Sequence, residues 1–162
     1  VQQAVPFLDR DLPESVSRPL DRSYVSRVLS LIQERARTLA EVPELASFFF
    51  IEDLEYDTAL LLKGKLDAQL VTTAITIGWQ KLEAATTWDV DTLESILRAL
   101  AAELNLRTGE FFGLLRVAIT GRTAAPPLFQ TMAVLGKEKC LKRLRRTLQV
   151  PLAYLDQSGM DN

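Results

Sequence analysis

Leu93, Ile96, Leu97, Leu100, Ala101 and Leu104 recur at i, i+3, i+4, i+7, i+8 and i+11. That spacing lines apolar side chains along one face of a helix with 3.6 residues per turn. It predicts a helix over residues 91–104, with Asp89 or Asp91 as its cap and Glu94 three residues after Asp91 as in a capping box. No stretch sustains the apolar–polar alternation of a strand, and no Asn-Gly or Asp-Gly pair offers a hairpin turn. The expected fold is all-α, with about eight to ten helices.

The remaining helices follow from punctuation. Pro6, Pro13 and Pro19, with the acidic stretch 9–14, leave room for one short helix before residue 20. Ser23 is placed to cap a helix reaching about residue 39, with Val25, Val28, Leu29, Ile32, Ala36 and Leu39 as its stripe. Pro43 suits the first turn of a short helix that ends in an apolar plug, Phe48 to Ile51. The acidic run 52–57 then marks a boundary between two small helical subdomains, 1–56 and 57–150, that form a helical bundle followed by a tail, 151–162. Helices are expected over 57–70 and 73–82, the second weakened by the β-branched Val71, Thr72, Thr73, Ile75, Thr76 and Ile77. Asn105 and Gly109 supply a turn, 111–120 is helical up to Gly121, and Pro127 opens a helix running to Leu135. Gly136 separates it from a last helix, 137–148, with Cys140, Leu141, Leu144 and Leu148 inward and the basic residues outward.

The net charge of −2 hides two opposite halves. Residues 1–112 hold eleven basic and eighteen acidic side chains, whereas 113–150 hold eight Lys or Arg against Glu138 alone. Arginines beside a Gly/Pro turn and an aromatic point to a polyanion partner. Catalytic chemistry has little to stand on. The chain has no histidine and a single cysteine, Cys140, so neither a zinc site nor a Ser-His or Cys-His pair can be assembled. Phosphate-binding glycine motifs are absent, and the carboxylates sit at spacings expected of solvated helix faces. The expectation is a chain that binds and does not catalyse, with no metal and no cofactor of its own. No apolar run reaches the roughly 18–20 residues needed to span a bilayer, so a soluble protein with no membrane partner is expected. The lone cysteine and the lack of a secretory pattern fit a cytoplasmic setting. The chain opens on Val1 rather than Met, so a piece of a longer polypeptide is expected.

Three blocks narrow the reading: Leu115 to Gly121 (Leu-Arg-Val-Ala-Ile-Thr-Gly), Pro126-Pro127-Leu128-Phe129, and Leu135-Gly136-Lys137-Glu138. Taken at their spacing, they closely resemble the C-terminal anticodon-binding region of bacterial-type glutamyl-tRNA synthetases, which are class I aminoacyl-tRNA synthetases. A weaker likeness extends through 88–104 and 31–50, so that it covers residues 20–150. The resemblance implies an anticodon-binding helical bundle whose partner is glutamate tRNA, within a monomeric parent ligase. ATP and magnesium would belong to the parent's catalytic domain, whose His-Ile-Gly-His and Lys-Met-Ser-Lys-Ser signatures are not in this chain.

Unpaired loop bases are read by planar donors and apolar platforms, with positive charge for the flanking phosphates. In the family, the arginine of the first block contacts the early anticodon bases, which assigns Arg116. Its apolar neighbours would bury the stem and leave the guanidinium at the rim. Ala125, Pro126, Leu128 and Phe129 resemble the loop and helix start on which anticodon bases rest, with Phe129 and Leu128 as apolar surface. Position 125 is a small apolar residue where some members carry a hydroxyl. Arg35 stands where the family places an arginine that recognises the third anticodon base, a cytosine; a glutamine there goes with enzymes that also accept glutamine tRNA. Gln33 and Arg37 lie within a turn of it. Candidate phosphate contacts are Arg122, Lys137, Lys142 and Arg143. Trp79 and Trp88 are read as core or subdomain-interface residues. A helical protein–protein adaptor with no RNA role is the alternative, separable by salt, since RNA binding weakens steeply as ions rise and apolar docking does not.

Overall fold

Eight α-helices and two 3-10 turns make up the residues that the computed structural model describes, 1–62 and 66–152, and no strand occurs among them. The first helix, α1 (Val5–Asp11), is closed by Arg18, whose guanidinium donates to the carbonyls of Asp9, Leu12, Pro13 and Val16 at 2.6–3.0 Å. Asp21, not Ser23, caps α2 (Arg22–Ile32), because its carboxylate accepts from the Ser23 and Tyr24 amides. This helix stops at Ile32, well short of the expected 39. The Glu41 carboxylate accepts from the Arg37 and Thr38 amides, which holds that segment out of the helix and sets up the 3-10 turn Leu39–Glu41. Leu39, expected on the buried stripe, is 38% exposed.

Pro43 lies in the first turn of α3 (Val42–Phe50), as expected, and the stacked Phe48 and Phe49 are buried. The last carbonyls of a helix have no partner within it. Those of α3 are closed from outside: Arg143 reaches Phe48 O, while the Tyr24 hydroxyl and Lys139 Nζ both reach Phe49 O.

A 3-10 turn, Thr58–Leu62, leads to α4 (Ala68–Glu83), one 16-residue helix where the sequence suggested two. The expected helix over 57–70 is replaced by that turn and the first residues of α4; residues 63–65 lie outside the described ones. Every β-branched residue of the doubtful run sits inside α4. Val71, Ile75 and Leu82 are fully buried, and burial at about 1.5–3 kcal/mol per large apolar side chain outweighs propensity costs of up to ~0.7 kcal/mol per residue.

The sequence stripe is the buried face of α5 (Val90–Glu103), although Asp89 is its cap and Glu94 pairs with Arg98 at 2.9 Å instead of closing a capping box. Asn105 makes the following turn at φ +55°, and Gly109 belongs to α6 (Thr108–Thr120). Gly121 ends α6 at φ +72°, where a Cβ would lie 3.2 Å from Tyr56 Cδ1. The last two helices, α7 (Leu128–Leu135) and α8 (Lys137–Thr147), follow Pro127 and Gly136 as expected. Helix α8 packs against both α4 and α6, and α7 against both α2 and α5. Trp79 Nε1 donates to Leu141 O, tying α4 to α8, and Trp88 Nε1, in the α4–α5 connection, donates to Met132 O of α7. One core runs from α1 to Leu152; of the expected tail, 153–162 lies outside the described residues. No helix among the described residues is long and apolar enough to cross a membrane.

Candidate nucleic-acid interface

The outward basic face expected for α8 is found at the exposed Lys142, Arg145 and Arg146, and is corrected at Arg143. Arg143 is only 4% exposed, and its guanidinium donates to Ile119 O and Phe48 O at 2.6 Å and to Ile51 O at 2.9 Å. Burial pulls its pKa down, yet a guanidinium stays charged at physiological pH. Lys137 Nζ donates to Ala85 O and Lys139 Nζ to Phe49 O. Lys142 pairs with Glu52 and Arg146 with Asp53, and the Arg145 guanidinium lies 4.7 Å from the Trp79 ring centre. The Lys142 ammonium correspondingly holds the Glu52 carboxyl below its usual range. Helix α8 thus engages each of its cations with the rest of the protein, deeply at Arg143 and at the surface at Lys142, Arg145 and Arg146. Helical periodicity could not show this, because the acceptors are main-chain carbonyls and acids that lie far away in sequence.

Arg122 is engaged in the same way. Its Nη2 donates to Glu44 O and, at 2.8 Å, to Ser47 Oγ, with the guanidinium 5.1 Å from the Phe48 ring centre. All four candidate phosphate contacts thus have partners within the chain. Lys137 and Lys142 still border an open concavity of about 460 Å³ with Glu52, Gly136 and Glu138, whereas Arg143 is enclosed.

Five guanidinium groups among the described residues make no side-chain hydrogen bond, ion pair or ring contact: Arg22, Arg35, Arg37, Arg107 and Arg116. Arg116 is half-buried on α6. Its carbonyl accepts from Thr120 Oγ1 at 2.6 Å, and that hydroxyl oxygen in turn accepts from the Arg122 amide at 3.1 Å. Arg35 is exposed, in the turn that follows α2 and not within the helix. Beside it lies a cavity of about 330 Å³ lined by Ile32, Gln33, Ala36, Arg37 and Thr38, so Gln33 and Arg37 face a groove next to Arg35.

The apolar platform needs a larger correction. Ala125, Leu128 and Phe129 are 8%, 4% and 9% exposed, and Pro126 is buried with them. The Phe129 ring meets Phe112 edge-on at 5.2 Å, so its apolar surface belongs to the core. The segment offers Thr123, Ala124, Pro127 and Gln130 to solvent instead, around an α7 start that has no side-chain cap. Sequence reasoning missed Pro127 and Gln130 as the outward residues; placing Leu128 and Phe129 on the inner face of α7 would have found them, since Met132 and Leu135 continue that face.

A family model described as an anticodon binding domain matches residues 1–148. The chain belongs to that family. Glutamate–tRNA ligases from Dehalococcoides mccartyi strain CBDB1 and Roseiflexus castenholzii are 44% and 43% identical to this anticodon-binding domain over 142 and 151 residues. Those stretches are 88% and 93% of this chain but 29% and 30% of the relatives, so the chain spans about three-tenths of their length. Among solved structures, the glutamate tRNA ligase of Elizabethkingia meningosepticum superposes with a TM-score of 0.76 at 17% identity, over 93% of this chain and 29% of that one. The glutamate-tRNA synthetase of Elizabethkingia anophelis gives 0.74 at 16%, over 92% and 28%. At such identity the superpositions establish the shared helical fold. The family and the all-α architecture expected from the sequence are the ones found.

Proposed function

We propose that this anticodon-binding domain is the tRNA-reading part of a glutamate–tRNA ligase. It holds the anticodon loop of glutamate tRNA while a separate catalytic domain attaches glutamate using ATP and magnesium. The observation that carries this reading is the sorting of its cations. Arg35 and Arg116, whose motif positions imply base reading, keep their guanidinium groups free, whereas the basic residues of α8 serve the fold. A free planar donor on a braced surface is what base-edge recognition requires. Arg116 and the uncapped start of α7 face the early anticodon bases, with Ala125 and Pro126 shaping the loop from beneath and Pro127 and Gln130 at its surface. Arg35 donates to O2 and N3 of a cytosine at the third position, an edge on which guanine presents donors of its own. Discrimination against glutamine tRNA follows, and binding energy gained at the anticodon is used at a distant active site.

The test is binding of the 162-residue chain to glutamate anticodon stem-loops carrying C or G as the third anticodon base, at low and moderate salt, beside Arg35→Gln and Arg37→Gln. We expect salt-sensitive binding that prefers C, with the preference lost in Arg35→Gln and kept in Arg37→Gln. Loss in the Arg37 variant alone would move the reading to the residue that lines the groove. Binding indifferent to salt would sink the RNA function.

A further inference from the structure

Arg122 stands two residues beyond the end of α6, which bears Arg116, and four before Pro126. Its side chain crosses to α3, where it holds Glu44 O and Ser47 Oγ and covers the Phe48 ring. Its amide reaches Thr120 Oγ1, which in turn donates to Arg116 O, so an unbroken polar link runs from the Arg116 backbone to α3. Gly121, in the left-handed conformation against Tyr56, fixes the direction in which the chain leaves α6. Arg143 adds a parallel brace from Ile119 O to Phe48 O and Ile51 O. Both α3 contacts are made by Nη2, so the guanidinium is anchored on α3 and Phe48 and is not free to swing out toward a ligand.

We propose that Arg122 is a positioning residue for anticodon reading. It touches no RNA; it holds the α6–α7 arm, with Arg116 and Pro126, at a fixed distance from the α2–α3 arm that carries Arg35, so that both arms meet one loop together. The inference rests on the function proposed above. Its physical basis is preorganisation, because two arms already set apart by the span of their ligand bind without a further ordering cost.

The experiment measures binding of the C and G stem-loops across a salt series for the wild-type chain and for Arg122→Ala, Arg122→Lys and Ser47→Ala, with thermal melts of each. Arg122→Ala is expected to lower the preference for C by at least about fivefold, the low end of measured couplings between sites. The slope of log Kd against log salt should stay as in wild type. Arg122→Lys keeps one donor for Glu44 O and restores part of the preference. Ser47→Ala leaves every charge in place and shifts the preference in the same direction by a smaller factor, which keeps the test decisive if Arg122→Ala does not fold. A salt slope reduced by about one with the preference intact would make Arg122 a phosphate contact and overturn the proposal. A lower melting temperature with unchanged preference and affinity would also overturn it, leaving a purely structural brace. A wild-type chain that binds neither RNA at low salt would remove the proposed function itself, an outcome distinct from wild-type binding whose preference ignores Arg122.

Discussion

Replacing Arg143 with methionine keeps an unbranched stem about as far as Nε but removes the guanidinium and strips three carbonyls of their donor. Those of Phe48 and Ile119 receive it in the buried interior, whereas the bond to Ile51 O is partly exposed, so water can replace the guanidinium there. A buried acceptor left without a partner costs about 1–3 kcal/mol, so the two enclosed carbonyls together cost about 2–6 kcal/mol. Against this stands relief from holding an ionised group in the interior, where Arg143 Nε has no partner and burial already depresses the pKa. A net loss of about 2–4 kcal/mol remains after that offset. At about 2–4 °C per kcal/mol for a domain of this size, the melting temperature should fall by about 4–16 °C. Urea and thermal unfolding of Arg143→Met and Arg143→Lys provide the measurement, with lysine intermediate because a single ammonium cannot span α3 and α6 as the guanidinium does. A loss below about 0.5 kcal/mol for the methionine variant, as for a solvated position, would refute the reasoning and return Arg143 to the surface role expected from its helix face.

Two other predictions follow from local geometry. Gly121→Ala places a Cβ in the left-handed region, at about 1–2 kcal/mol, and 3.2 Å from Tyr56 Cδ1, so its melting temperature should fall; an unchanged melt would mean that the turn relaxes freely. Burial pushes the Cys140 thiol from 9.0 up to about 12 and the Tyr24 hydroxyl from 10.0 up to about 12. The folded state keeps both protonated while the unfolded chain begins to release protons near pH 9, so their contribution is complete below pH 9 and declines as pH rises from 9 to about 12. The urea midpoint should therefore drop through that window, and Cys140 should resist thiol reagents until the chain unfolds; rapid modification under native conditions would contradict it.

What the sequence made legible depended on how local the deciding interaction is. Helix α5 could be read because its stripe is uninterrupted, and α7 and α8 because Pro127 and Gly136 punctuate them. The end of α2 could not, since it turns on the Glu41 carboxylate capturing two amides, and α4 could not, since burial overrode its β-branched run. The same distinction governs the candidate site. Counting Lys and Arg treats every cation as available, but a helix end is a place where charge is consumed, and α3 and α6 end beside α8. Arg35, Arg116 and Arg143 all lack an acid three or four residues away, so local pairing rules leave all three free. Only Arg143 lies against open carbonyls at two helix ends, and those carbonyls take it into the core. Arg116 sits within α6, about one turn before its end, and Arg35 follows α2, whose Leu29 carbonyl is already taken by the Gln33 amide. Both guanidinium groups stay free of the protein and open to solvent, so an acceptor brought by a partner has only water to displace.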